Sequence, residues 1–217
     1  MTYKLNSIFK KNSVLITLMV IYIIICLIIK YNFIDFINKI DELARGFVES
    51  GALDFLTKAM EIITKIGNIG PVLGVLAVSL ILFKDKITRT VFLFNITLVG
   101  LLTFLLKILF SRERPLEAII KIPTDYSFPS GHTFFAVGFY GLVAYFISKS
   151  SINKGIKVLF ISIITLLIFL IGISRIYLGV HHFTDVIGGT VFGVLGLLIS
   201  INTYKVLKEE TRWMDLY

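Results

Sequence analysis

Six apolar runs divide this chain, and no other feature limits its fold so strongly. They lie near residues 14–29, 71–83, 90–106, 133–147, 158–173 and 186–206. A hydrocarbon core of about 30 Å needs roughly 20 residues of helix, so flanking residues must extend several of these runs. The first run follows Lys10 and Lys11 as a signal peptide would. It has no small-residue cleavage site and leads into further runs, so it is counted as a membrane helix. With 217 residues and no repeat or Ser/Pro-rich linker, the expectation is one all-α domain over residues 1–217, an integral membrane six-helix bundle. The single cysteine, Cys26, lies in an apolar run, cannot close an internal disulfide and reads as a small hydrophobe.

The charges then orient the bundle. Numbering alternate sides from the N-terminus places the whole excess of +8 on one side, leaving the other side neutral. The positive-inside rule makes the basic side cytoplasmic, with both termini there. Anionic lipid and topology account for the basic charge, so no nucleic-acid partner is needed. The long extracytoplasmic segment, residues 30–70, carries Phe55, Ala59, Ile62, Ile63 and Ile66 at helical spacing. It reads as an amphipathic helix at the membrane interface, packing on the bundle in preference to acting as a lid.

Three polar clusters interrupt the apolar runs, and this topology puts all three on the extracytoplasmic side. They are Lys107 with Arg114-Pro115, then Pro129-Ser130-Gly131-His132, then Ser174-Arg175 with His181 and Asp185. An ionisable residue in hydrocarbon costs about 2.5–3.5 kcal/mol, so such a set implies function. His181 and Asp185, four apart, would share a face of a helix entering the last span. A carboxylate there can accept the Nδ1 proton and leave Nε2 as a nucleophilic lone pair. His182, turned about 100° away, reads as a packing residue. Arg175 offers a planar donor fork to phosphate oxygens.

In the second cluster Pro129 fixes the chain before a turn, Ser130 is placed to cap the next span, and Gly131 permits close backbone approach. First-turn N–H groups there favour an anion. His132 could protonate a departing oxygen. In the first cluster Lys107 and Arg114 stand about two helical turns apart, with Pro115 ending the helix. With Arg175 they could surround a phosphate and stabilise its transition state. Arg112, Glu113, Glu117, Lys121 and Asp125 read mainly as solvated loop charges, Glu113 being a candidate partner behind the site. No histidine or carboxylate spacing suits a metal, and the cations would oppose one.

The motifs Lys107-x6-Arg114-Pro115, Pro129-Ser130-Gly131-His132 and Ser174-Arg175-x5-His181-x3-Asp185 closely resemble those of the type 2 phosphatidic acid phosphatase superfamily of membrane lipid phosphatases. That resemblance covers residues 107–185. It implies a phosphohistidine intermediate on His181, oriented by Asp185, with His132 as general acid and no cofactor. Lys107, Arg114, Ser130, Gly131 and Arg175 would bind the phosphate. Vanadium haloperoxidases are related but largely soluble, which weighs against that activity here. Within the family the chain looks most like bacterial phosphatidylglycerophosphatase B-type enzymes, associated with phosphatidylglycerophosphate, phosphatidate and undecaprenyl pyrophosphate. Gly131 separates it from the undecaprenyl pyrophosphatase branch that carries Asp there.

The expected function is hydrolysis of a lipid phosphate at the outer face of a bacterial cytoplasmic membrane, without metal. Two rivals stand beside it: a phosphotransferase sharing the phosphohistidine, and a non-catalytic lipid-phosphate binder. Binding alone needs neither the His181–Asp185 pair nor a second histidine. Oligomeric state is not set by these motifs.

Overall fold

The computed structural model describes residues 2–32, 34–49 and 53–214, so Asp215, one of the charges on the basic side, lies outside the described residues. The elements are α1 (Thr2–Asn32), α2 (Ile34–Glu49), α3 (Asp54–Ile66), α4 (Ile69–Leu82), α5 (Lys86–Phe110), α6 (Gly131–Phe135), a π-helical turn (Ala136–Tyr140), α7 (Gly141–Lys149), α8 (Lys154–Tyr177) and α9 (Phe183–Met214). The all-α expectation holds. Stretches of α1, α5, the continuous α6–α7 unit, α8 and α9 are each long and apolar enough to cross a bilayer.

The remaining expected run is shorter. The run at 71–83 lies in α4, whose 14 residues rise only about 21 Å. Only with α3 does it reach crossing length, and the two helices meet at a 50° bend. The amphipathic stretch expected at the interface is α3, and it packs against α8, as expected of a helix seated on the bundle. The same segment also holds α2, a second amphipathic helix that the sequence expectation did not include.

Local chemistry sets the helix ends. Asp85 starts α5 by accepting the Thr88 N–H at 3.0 Å, and Asn153 starts α8 by accepting from Gly155 at 2.8 Å. At the close of α5, Ser111 takes a left-handed conformation with φ 42°. Gly179, just past α8, has φ +70°, and a Cβ there would stand 2.5 Å from the Glu117 carbonyl oxygen. That contact brings the 111–130 loop against the α8–α9 turn, which assembles the site.

Helix α9 is the hub, packing on α1, α5, α6 and the π-helical turn. Lipid tails are as apolar as leucine, so close approach and polar links between helices replace the hydrophobic effect. A Cβ on Gly189 would meet the Ser130 carbonyl oxygen at 2.6 Å, and one on Gly193 would meet Val137 at 2.6 Å. Asn95 donates to Ser200 (2.9 Å) and Asn12 to Thr203 (3.2 Å), tying α5 and α1 to α9. Phe92, Phe139 and Phe146 fill the layer beneath, while Leu159, Phe160, Ile163, Leu166 and Phe169 of α8 stay exposed where lipid would cover them.

Candidate active site

All eight residues singled out from the motifs lie at one end of the bundle, although several arrive by a different route. His181 is not helical. It sits in the turn between Tyr177 and Phe183, where its N–H and that of Val180 both donate to the Arg175 carbonyl (3.2 and 3.3 Å). Asp185 occupies the first turn of α9. The expected shared helical face is thus replaced by a loop folded over a helix start, with His181 Nδ1 3.4 Å from Asp185 Oδ2. Ser127 stands between them, donating to Asp185 Oδ2 at 2.5 Å and lying 3.3 Å from Nδ1.

The opposite side of the ring fixes its tautomer. His181 Nε2 lies 3.1 Å from Arg114 Nη1. A guanidinium can only donate, so Nε2 accepts and the ring proton belongs on Nδ1, toward Ser127 and Asp185. Burial pushes the His181 pKa down to about 4, aided by Arg114 and Arg175 and opposed by Asp185. The imidazole is therefore neutral near pH 7, with a lone pair on Nε2. Asp185 is wholly buried and also accepts from Arg112 Nη1 (2.7 Å) and the His182 N–H (2.9 Å).

The cations converge without the helix expected to align them. Helix α5 ends at Phe110, so Lys107 is helical while Arg114 comes from the extended loop beyond. Asp125 bridges them, 3.0 Å from Lys107 Nζ and 2.6 Å from Arg114 Nη2. Burial alone would raise the Asp125 carboxyl, but Lys107 and Arg114 hold it below the usual carboxylate range. Lys107 also donates to the Tyr126 carbonyl. Arg114 donates to the carbonyls of Asp125 (2.8 Å) and Val180 (2.6 Å). Arg175 is buried and donates to Thr64 Oγ1 from α3, while its Nε has no partner among the described residues.

Ser130 occupies the cap position of α6, but its side chain does not cap the helix. It accepts instead from Thr133 Oγ1 at 3.1 Å, and its N–H donates to the Asp185 carbonyl at 3.0 Å. Gly131 packs on Thr103 and Lys107. His132 is half-buried, with Nε2 2.8 Å from Asn68 Oδ1 at the α3–α4 bend. A Cβ on Gly67 would stand 2.9 Å from the His132 ring.

Two charges read as solvated are structural members of this site. Arg112 pairs with Asp185 and, at 2.6 Å, with Asp41 of α2; Asp125 is the bridge already described. Glu117 pairs with Arg45, and Glu113 and Lys121 are exposed, as expected of loop charges. His182 packs rather than facing Asp185 with its ring, its Nδ1 4.0 Å from Asp41. Thr64, Asn68, Ser127 and Asp41 were missed. Asp41 carried a signal: it falls at helical spacing among Ile37, Ile40 and Ala44, so a carboxylate interrupts the apolar face of α2.

Two hollows flank α2. A polar one of about 320 Å³ is lined by His181, Arg114, His182 and the Asn38, Asp41 and Glu42 side of α2. An almost wholly apolar one of about 420 Å³ runs between Tyr22 and Cys26 of α1, Ile37 and Ile40 of α2, and Phe128 and Ile187.

These motifs and their placement agree with comparison to known proteins. A match described as the PAP2 superfamily extends over residues 89–209, and the chain belongs to that superfamily. Phosphatidylglycerophosphatase B of Bacillus subtilis strain 168 is 42% identical over 97 residues, 44% of this chain and 47% of that one. The chain thus aligns with about half the length of that curated relative. Among solved structures, a transmembrane PAP2-type phosphatidylglycerolphosphate phosphatase from Bacillus subtilis superposes with a TM-score of 0.76 at 28% identity, covering 90% of this chain and 96% of the other. Aquifex aeolicus LpxE follows with a TM-score of 0.61 and 27% identity, covering 74% of this chain and 93% of its own.

Proposed function

We propose that the protein is a membrane lipid phosphatase that removes a terminal phosphate through a phosphohistidine on His181, with the site on the extracytoplasmic face. The observation that carries this reading is the hydrogen-bond set around His181. Arg114 meets Nε2 while Ser127 and Asp185 meet Nδ1, so the nitrogen nearest the cations is the nucleophilic one. A phosphate drawn between Nε2 and Lys107, Arg114 and Arg175 would be attacked along that lone pair. The buried Nε of Arg175, which has no partner among the described residues, supports such an anion.

In the first step Nε2 bonds to phosphorus, the bond to the lipid oxygen breaks, and His132 gives that oxygen its proton. The phosphorylated ring becomes cationic, with its Nδ1 proton held by Ser127 and Asp185. In the second step neutral His132 takes a proton from water, the hydroxide attacks phosphorus, and the P–N bond breaks. Inorganic phosphate leaves, and His181 returns neutral while His132 is protonated again.

The apolar hollow beside the site supports a hydrocarbon-tailed substrate, whose chain would enter sideways from the bilayer beside α1 and α2. Phosphatidylglycerophosphate, phosphatidate and undecaprenyl pyrophosphate are the candidate class, in line with the names of the relatives. Phosphate release from a panel of these lipids, measured on purified protein with chelator present, tests the reading. Release from at least one supports it. Transfer of the phosphoryl group to an added alcohol without free phosphate would favour a phosphotransferase, and no turnover of any would leave a binder.

A further inference from the structure

The groups used above leave one charged chain unexplained. Asp41, on α2, is 6% exposed and far from any motif. Its Oδ1 accepts the Thr184 N–H at 2.9 Å, and its Oδ2 accepts from Thr184 Oγ1 at 2.9 Å and from Arg112 Nη2 at 2.6 Å. Arg112 then uses its other terminal nitrogen on Thr184 Oγ1 and Asp185 Oδ1, both at 2.7 Å. One guanidinium thus spans two buried carboxylates, one belonging to an amphipathic helix and the other to the proposed nucleophile pair.

We propose that α2 is a working part of the active site: Asp41 holds Arg112, and Arg112 positions the Asp185 carboxylate against His181. Arg112 and Asp41 are positioning residues, since neither reaches the phosphate in this arrangement. The inference rests on the phosphohistidine reading, because it assigns a role to the partner of the nucleophile.

The geometry favours positioning over simple attachment of α2. Asp185 has two oxygens with distinct duties. Oδ2 receives Ser127, the His182 N–H and the His181 ring, while Oδ1 receives Arg112. The guanidinium therefore fixes the rotation of the carboxylate and so decides which oxygen faces Nδ1. A planar fork with two outward nitrogens can serve two carboxylates at once, which an ammonium cannot do with the same geometry. Without the Asp41 carboxylate, Arg112 would be free to lean wholly on Asp185 and alter its angle. Helix α2 also lies between the polar hollow holding His181 and the apolar hollow beside it, so its seating is sensed where headgroup and tail would meet.

A mutant cycle on the full chain in lipid or detergent tests this. Arg112→Gln, Asp41→Asn and the double variant are compared on a short-chain phosphatidate and on an aryl phosphate. Each single change is expected to lower kcat about tenfold with KM little altered, and the double to be no worse than Arg112→Gln alone, because the two act through one contact. Arg112→Lys keeps the charge and should recover part of the loss on Asp185. The double variant also removes the buried charge mismatch, which covers the case where Arg112→Gln alone fails to fold. Normal kcat in the folded variants, a change confined to KM, or losses that multiply in the double would overturn the proposal. His181→Ala run beside them separates the two failures. If it still turns over, the phosphohistidine reading falls and takes the proposal with it. If it is dead while the Arg112 and Asp41 variants are normal, the positioning role alone falls.

Discussion

The two histidines of the site live under opposite regimes. His181 is 3% exposed and held on every side: backbone to Arg175, Nδ1 toward Ser127 and Asp185, Nε2 toward Arg114. His132 is half-buried, and its one side-chain partner among the described hydrogen bonds is Asn68, at the α3–α4 bend. A nucleophile gains from being fixed in tautomer and angle, since small misplacements are costly in rate. A general acid must meet a leaving oxygen that differs from one substrate to another, so a looser mount on a bend suits it. In the proposed mechanism the bond-forming side therefore carries more hydrogen bonds than the leaving-group side.

The largest effect that could break this contrast is at the nucleophile. His181→Ala should abolish turnover on every substrate and yield no phosphoryl-protein. Asp185→Asn should keep the fold yet lower kcat by about 10²–10⁴, because an amide cannot hold the Nδ1 proton or balance the charged ring. His132→Ala should lose about 10²–10⁴ on an alkyl phosphomonoester, but much less on an aryl phosphate or pyrophosphate lipid, whose leaving oxygen needs less protonation. An equal loss on all three would mean that His132 is not the acid. Asn68→Ala should cost only about tenfold or less, the worth of a single hydrogen bond, and only on substrates that need the acid. The smallest effect is in pH. With an aryl phosphate, the rate of phosphoryl transfer to the protein should stay level from neutral pH down to about 5. It should fall as the His181 ring protonates near 4, because burial holds that pKa down. A fall near the ordinary histidine value would show a ring far more solvated than this fold allows.

Much of this was legible in the sequence because membrane crossings are written in long apolar runs. Five of the six expected runs lie within helices long enough to cross. The second lies in α4, which by itself is too short to cross and reaches crossing length only together with α3, from which it is bent by 50°. The motif residues were found because charge in hydrocarbon is conspicuous, and the structure gathers all of them. Their local geometry was less legible. The helix alignments expected for Lys107 with Arg114 and for His181 with Asp185 are both made instead by chain turns at Ser111 and Gly179. Residues that orient the motif members were hidden in ordinary polar surroundings. Ser127, Thr64 and Asn68 are small polar groups with no spacing of their own. Arg112 looked like a loop charge until Asp41 of α2 was brought beside it.

In the proposed mechanism a phosphoryl group rests on His181 during turnover. Wild-type protein turning over an aryl phosphate can be quenched rapidly in alkali, where phosphohistidine survives, and its peptides weighed by mass spectrometry. One added phosphoryl group is expected on the peptide holding His181, lost on acid treatment and missing in His181→Ala. Steady turnover with no phosphoryl group on that peptide, or with the group on another residue, would contradict it.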